Sequence, residues 1–341
     1  MKRTWLAALP LAGVLMTSCQ TSQQEETRTN ENDVETITIL QTADIHGQLM
    51  PHQEMFIENG EFVFKERGGM ANIQTLFKQV QAENPDGTVI VDGGDLIQGS
   101  AVAALSEGEV FGPIINAMDY DFLIPGNWEV IYGSKKMRSV LDSYGKPVVC
   151  ANIYDEATNS MLYKPYIVKE VKGVKLGFIS YNDPEVPVRQ NPSFSKGLVF
   201  KQLEDNIQPL IKELKEEQDV DILFLVTHLG ISKQLYLADQ EEIIGVDFIL
   251  GNDTHERIRQ PLQGRYAQVV EPGAFASFVG RLDLDVKDGK IVNQRYELMD
   301  VDPAKYHADL VVQQVVDEQM APYREKMERV LGYTTTPLYR Y

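Results

Sequence analysis

The stretch Ile37-Thr38-Ile39-Leu40-Gln41-Thr42-Ala43-Asp44-Ile45-His46 passes from an apolar, β-branched run into a short polar cluster. Four later stretches repeat that transition. Val89-Ile90-Val91 leads to Asp92-Gly93-Gly94-Asp95, Phe122-Leu123-Ile124 to Gly126-Asn127, Ile222 to Val226 to Thr227-His228, and Phe248-Ile249-Leu250 to Asp253-Thr254-His255. Continuous apolar runs of this length suit strands covered on both faces. If the strands lie side by side, their ends bring Asp, His and Asn to one edge. Carboxylate oxygens and imidazole nitrogens together form a ligand set for divalent cations.

Outward from these runs the pattern alternates strands with helices. Gly68-Gly69 opens a helix with Met70, Ile73, Phe77 and Val80 on one face, and Leu203, Ile207, Leu210, Ile211 and Leu214 mark a second. Hairpins are expected at 166–171 with 174–181, and at 281–286 with 291–298. The expected fold class is α/β, a layered β-sandwich of mixed sheets flanked by helices, with ligands at the carboxyl ends of strands. An amphipathic stripe of Val312, Val315, Val316, Met320, Tyr323, Met327 and Val330 predicts a helix packed on the domain and ended by Gly332. After it, residues 333–341 have strand-like composition.

Composition sets outer bounds. A hydrophobic content of 43% over 341 residues suffices for a sizeable core. With 32 basic against 50 acidic residues the formal charge is −18, which argues against a nucleic acid polymer as partner. A small phosphate or sulfur oxyanion stays open, because bound cations reverse the local field.

The chain begins Lys2-Arg3, an apolar stretch from Trp5 to Met16, then Thr17-Ser18-Cys19, the order of an export signal. Residues 1–19 are expected to be a lipoprotein signal peptide cut before Cys19, with a lipid anchor on its sulfur. An ordinary signal peptide cut nearby is the alternative. Residues 20–35, nearly free of apolar side chains, read as a disordered tether. The expected location is the cell envelope, with the domain held to a bacterial membrane. Cys150, the other cysteine, is expected in the core.

Three of the 5 histidines, His46, His228 and His255, lie at strand ends, whereas His52 and His307 read as surface residues. The ordered set of Asp44 with His46, Gly94-Asp95, Gly126-Asn127-Trp128-Glu129, His228 and Asn252 to His255 resembles the calcineurin-like metallophosphoesterases, and within them the exported 5'-nucleotidase family. The resemblance covers roughly residues 36 to 300, the expected dinuclear metallohydrolase domain. It implies two divalent ions, manganese, zinc or similar. Asp44, His46 and His255 would hold one, Asn127, His228 and Asp253 the other, and Asp95 would bridge. A hydroxide shared by such a pair would attack the ester, so no side-chain nucleophile is required.

Two positions depart from the family pattern. Asp253 stands where the family carries a histidine. Trp128 stands in place of the histidine that stabilises the transition state or protonates the leaving group, and Ile131 replaces that residue's carboxylate partner. An indole cannot act as an acid near neutral pH. The run from Gly126 to Gly133 resembles the related dimanganese thiosulfohydrolases of sulfur oxidation, as do Asp92 to Asp95, Gln98-Gly99-Ser100 and Leu338-Tyr339-Arg340. Asn127 and Leu96-Ile97 depart from that branch. In both branches a C-terminal domain contacts substrate. Residues 301–341 are expected to be a C-terminal helix and the start of such a domain, supplied by a separate chain or absent, with a carrier protein as possible partner for the sulfur reaction. Three readings stand: a phosphate ester hydrolase with nucleotides as family default, a thiosulfohydrolase-like enzyme, and a catalytically weak metal-binding or interaction domain.

Overall fold

Residue parity in each apolar run decides what it packs against. The computed structural model describes residue 1 and residues 34–336, so Cys19, most of the expected tether and Leu338-Tyr339-Arg340 lie outside the described residues. Ile37 and Ile39, Val89 and Val91, Phe122 and Ile124 face inward between two sheets, meeting Ile222, Phe224, Val226, Phe248 and Leu250 from the opposite side. The alternate residues Leu40, Ile90 and Leu123 turn outward to one helical layer, and Leu223, Leu225 and Ile249 to the other. Both faces of each strand are thus dry, which is why the runs are continuous rather than alternating. Phe178 stacks on Phe224 at 4.8 Å between ring centroids. Phe224→Ala would cost roughly 3–5 kcal/mol, since nothing nearby can refill that space.

The first sheet runs in the order Lys290–Asp300, Phe278–Lys287, Glu35–Thr42, Thr88–Asp92, Phe122–Leu123. The second runs Leu262–Gln263, Gln268–Val270, Phe248–Gly251, Ile222–His228, Val174–Asn182, Tyr166–Val171. Each sheet mixes parallel pairs with antiparallel edges, giving the expected layered α/β sandwich of mixed sheets flanked by helices. Register matters more for the site than strand count. Thr42 pairs with Asp92, Asp92 with Leu123, Thr227 with Gly251 and His228 with Asn182, so the parallel strands of both sheets finish at one rim.

Three local features differ from expectation. The segment read as a loop after Asp44-Ile45-His46 contains a hairpin, His52–Glu58 with Glu61–Arg67, turned at Asn59-Gly60. Both turn residues have positive φ, 53° and 83°, the conformation for which Asn-Gly is suited. The 203–214 stripe is not one helix: a 3₁₀ turn at Leu203–Asp205 precedes the α-helix Ile207–Lys212. Pro209 sets that break, because its ring would collide with the Asp205 carbonyl if the α-helix began earlier. Likewise the C-terminal helix Leu310–Met320 gives way to a 3₁₀ turn containing Pro322 and stops at Glu328, before Gly332. Val312 and Val316 are buried against the domain, and residues 333–336 form no strand. Cys150 is buried in the core.

Candidate metal centre

Backbone conformation at the rim is unusual. Asp44, His46, Asp95, Asp253 and His255 all adopt positive φ, between 48° and 94°. Asp and His tolerate this region better than most residues, and such strain persists only where surrounding contacts impose it. Here Asp44 N donates to Gly94 O at 2.9 Å and His46 N to Asp95 O at 2.9 Å, joining the loops after the first and second parallel strands. The third loop is pressed onto them so closely that a Cβ on Gly126 would lie 2.2 Å from Asp95 Oδ1.

Hydrogen bonds fix which imidazole nitrogens carry protons. His228 Nδ1 lies 2.8 Å from Gly93 O, and His46 Nδ1 lies 3.1 Å from Gln98 O. Carbonyl oxygens only accept, so both Nδ1 atoms donate and both Nε2 atoms face the rim, each offering a lone pair there when its ring is neutral. His46 Nε2 and His255 Nε2 are 3.0 Å apart. Phe275 packs edge-on against His255 at 5.1 Å and flanks His46 at 5.9 Å, holding the rings in place.

Into this set project two buried atoms without a hydrogen-bond partner, Asp44 Oδ1 and His228 Nε2. Asp44 Oδ1 is 3.9 Å from His46 Nε2, 3.8 Å from His228 Nε2 and 3.6 Å from His255 Nε2. Asp95 Oδ2 lies 3.2 Å from His228 Nε2 and 3.7 Å from His46 Nε2, while its Oδ1 accepts from Trp128 N at 2.7 Å. Two overlapping donor groups result, Asp44-His46-His255 and Asp44-Asp95-His228, each with its ligand atoms within 4.8 Å of one another. Asp44 belongs to both. Unpartnered acceptors that converge in a buried site are what a pair of divalent cations would satisfy, and the donor chemistry fits them.

Protonation in the metal-free protein follows the same need. Burial raises Asp44 well above the carboxylate range, with His228 only partly offsetting it. Burial also opposes ionisation of Asp95, but His228 and then His46 outweigh it and lower Asp95 to about 2. For His228, burial disfavours the charge, yet Asp95, Asp44 and Asp253 together raise it well above the imidazole range. His255 is lowered to about 4 by burial and by His46. A proton on His228 thus supplies part of the positive charge that cations would bring.

The remaining expected ligands meet the cluster differently. Asn127 reaches the rim with its Nδ2 donating to Asp253 Oδ1 at 2.5 Å, while its Oδ1 accepts from Gln190 Nε2 at 3.3 Å. Ligation through Oδ1 would therefore require the amide to turn over. Asp253 Oδ1 is 3.8 Å from His228 Nε2 but is also engaged by Arg189. Trp128 lines the cleft, of about 720 Å³, beside Asp95, Asn127, Arg189 and Asp253.

Several contributors were given no settled role by the sequence, and Glu271 escaped it altogether. Glu129, part of the Gly126-Asn127-Trp128-Glu129 motif, accepts from Asp95 N, Leu96 N and Gly126 N at 3.1, 2.8 and 2.6 Å, which locks two ligand loops together. Glu271 accepts from Thr254 N and Glu256 N at 3.1 and 2.9 Å and shapes the loop carrying Asp253 and His255. Asn182 donates to Gly126 O at 2.7 Å. His52, expected on the surface, is partly covered and lines the cleft next to Glu54, and His307 is exposed.

A family model for calcineurin-like phosphoesterases matches residues 37–257, well over half of the chain. The chain belongs to the calcineurin-like phosphoesterase family. Relatives of this chain include a 5'-nucleotidase of Vibrio parahaemolyticus, 24% identical over 329 residues, covering 86% of this chain and 56% of the relative. Another is a 2',3'-cyclic-nucleotide 2'-phosphodiesterase/3'-nucleotidase of Salmonella typhimurium, 27% identical over 244 residues, covering 64% and 36%. Among solved structures, the Thermus thermophilus sulfate thiohydrolase SoxB superposes with TM-score 0.77 at 22% identity, covering 85% of this chain and 61% of that one. The Thermus thermophilus 5'-nucleotidase precursor gives 0.75 at 23%, covering 87% and 60%. At these identities the superpositions establish the fold. The chain spans about half the length of the curated relatives it matches.

Proposed function

We propose that this chain is a metal-dependent hydrolase of small phosphate esters, nucleotides being the first class to test. The observation that carries the reading is the pair of buried, unpartnered atoms, Asp44 Oδ1 and His228 Nε2, 3.8 Å apart and beside His46 and Asp95, which line an open cleft. Asp44, His46 and His255 would hold one divalent cation, Asn127, His228 and Asp253 the other, with Asp95 between them. When bound, such a pair supplies Lewis acidity to a water and to the phosphoryl oxygens. The chain's own groups position it: Gly93 O and Gln98 O orient His228 and His46, and Glu129 fixes the Asp95 loop. Nucleotidase and phosphodiesterase relatives support the substrate class.

A second reading, hydrolysis of a sulfonate from a thiol-bound thiosulfate, is favoured by Trp128, which leaves the cleft without an imidazole at that position, and by the resemblance around it. The two are separated by assaying the purified, Mn²⁺-supplemented protein on an aryl phosphate, a nucleoside monophosphate and an S-sulfonated thiol. Turnover of the phosphate esters is expected. Turnover of the S-sulfonate alone would replace the first reading with the second, and metal binding without turnover of any substrate would overturn both.

Export with a lipid anchor at Cys19 is part of the proposal, supported by Lys2, Arg3 and the apolar stretch that follows. Radiolabelled palmitate should enter the wild type and not Cys19→Ala; equal labelling would defeat the anchor.

A further inference from the structure

Arg189 is the only Arg or Lys among the residues lining the cleft, where Glu54, Asp95 and Asp253 supply carboxylates and position 128 an uncharged indole. Its contacts are unequal. Arg189 donates to Asp183 Oδ2 at 2.6 Å, but only at 3.3 Å to each oxygen of Asp253. The Asp183 end is rigid: that carboxylate is buried, accepts from Glu185 N at 3.0 Å, and its own N–H donates to Asn182 Oδ1 at 2.6 Å. The guanidinium is roughly half exposed toward the cleft, with its side chain at 47% of full accessibility. The next residue, Gln190, donates to Asn127 O at 2.7 Å, so the segment is pinned above the rim.

We propose that Arg189, anchored by Asp183, binds the non-bridging oxygens of a tetrahedral oxyanion in the substrate, supplying the positive charge that position 128 lacks. This rests on the reading of the cleft as an oxyanion-hydrolysing site. Of the five N–H donors of a guanidinium, the two on the Asp253 side are the weakly held ones. With Asp253 holding a cation, that carboxylate's charge would be offset and those donors would be free for an incoming anion, while Asp183 keeps its hold on the guanidinium. The planar fork suits phosphate-like oxygens, and a lysine would give one point of contact instead.

The test is calorimetric titration of inorganic phosphate and of thiosulfate into the Mn²⁺-loaded full chain, for wild type, Arg189→Met, Arg189→Lys and Asp183→Asn, with metal content measured by mass spectrometry. Wild type should bind at least one anion. Arg189→Met should weaken that binding roughly tenfold to a hundredfold at unchanged metal content, with Arg189→Lys and Asp183→Asn between, as expected for a charge-assisted contact. Undiminished anion affinity in Arg189→Met overturns the proposal, as does a wild type that binds neither anion. Loss of manganese along with the anion in both Arg189 variants also overturns it, since the residue would then act only by holding Asp253. Arg189-dependent anion binding without turnover of any ester would sink the proposed function and leave this assignment standing.

Discussion

The two halves of the proposed metal centre use similar donors in different states of readiness. On the side of Asp44, His46 and His255, no Lys or Arg among the described residues contacts the donors, and two imidazole nitrogens face each other at 3.0 Å. On the side of Asn127, His228 and Asp253, the protein has already supplied cationic and N–H partners: Arg189 pairs with Asp253, and the Asn127 amide points its Nδ2 inward. A cation entering the first half fills an electrostatic gap; one entering the second must displace contacts. Donor count alone therefore does not rank two sites. What matters is how many of the donors are already satisfied.

The bluntest way to break the comparison is to remove what joins the halves. Asp95→Ala deletes one of the two carboxylates, with Asp44, that face both His46 and His228, and kcat on an aryl phosphate should fall by about 10³-fold or more, as expected when a shared ligand of a paired-metal site is lost. Activity retained within the range of a surface mutation would mean the halves work independently. A sharper probe is metal titration into the metal-free protein. Two phases are expected, separated by at least about tenfold in Kd, or about 1.4 kcal/mol. His46→Ala should erase the tighter phase and Asp253→Asn the weaker; the reverse assignment would refute the asymmetry.

Trp128 offers a smaller effect. Its contact with Asp95 runs through the backbone N–H, so a new side chain leaves the bridging carboxylate held. Trp128→His should raise kcat on phosphate esters severalfold, below the roughly 10²–10⁴ of a fully supported general acid, because Ile131 offers it no carboxylate. An unchanged or lower kcat, with the protein folded and metal-loaded, would show that the missing imidazole does not limit the reaction.

The same contrast explains what could be read from the chain. The sandwich was legible because Ile37 to Leu40 or Ile222 to Val226 can bury every residue only with partners on both faces. The Asp and His at their ends were legible because polarity there has no packing reason. Arg189 was not, since the Glu185-Val186-Pro187-Val188 run before it is no strand and its partners are 6 and 64 residues away. Glu271 follows a strand, Gln268–Val270, too short to stand out. The hairpin His52–Arg67 hid because its apolar runs, Met55-Phe56-Ile57 and Phe62-Val63-Phe64, are only three residues each and are largely exposed, so they mark no core. The helix breaks at Pro209 and Pro322 were visible in principle, and apolar spacing masked them.

The subtlest consequence concerns metal-free stability. Burial, followed by the charge of Asp95, raises Glu129 to about 8, and burial raises Asp92 to about 7. Both folded-state values exceed the unfolded ones of 4.5 and 3.8, so their contribution is intact below those values and is lost as pH rises through about 7 to 8. His228, also raised, acts in the same direction above its unfolded value of 6.5. Asp95 is lowered to about 2 and opposes them only in acid, its contribution present above 3.8 and lost as pH falls toward 2. The metal-free protein should therefore melt lower at pH 8 than at pH 5, by roughly 5 °C given a free-energy change of about 1–2 kcal/mol. Asp92→Asn should flatten that slope. Its amide can still accept from Gly94 N and can donate to the Thr42 hydroxyl, which is free to turn its own proton toward Tyr120. Calorimetry across this range, with chelator and then with Mn²⁺, separates the causes: cations should remove most of the slope by neutralising the cluster. A metal-free melting temperature that is flat, or that rises from pH 5 to pH 8, would mean the buried carboxylates find their counter-charge within the protein, and the contrast between a waiting half and a satisfied half would not hold.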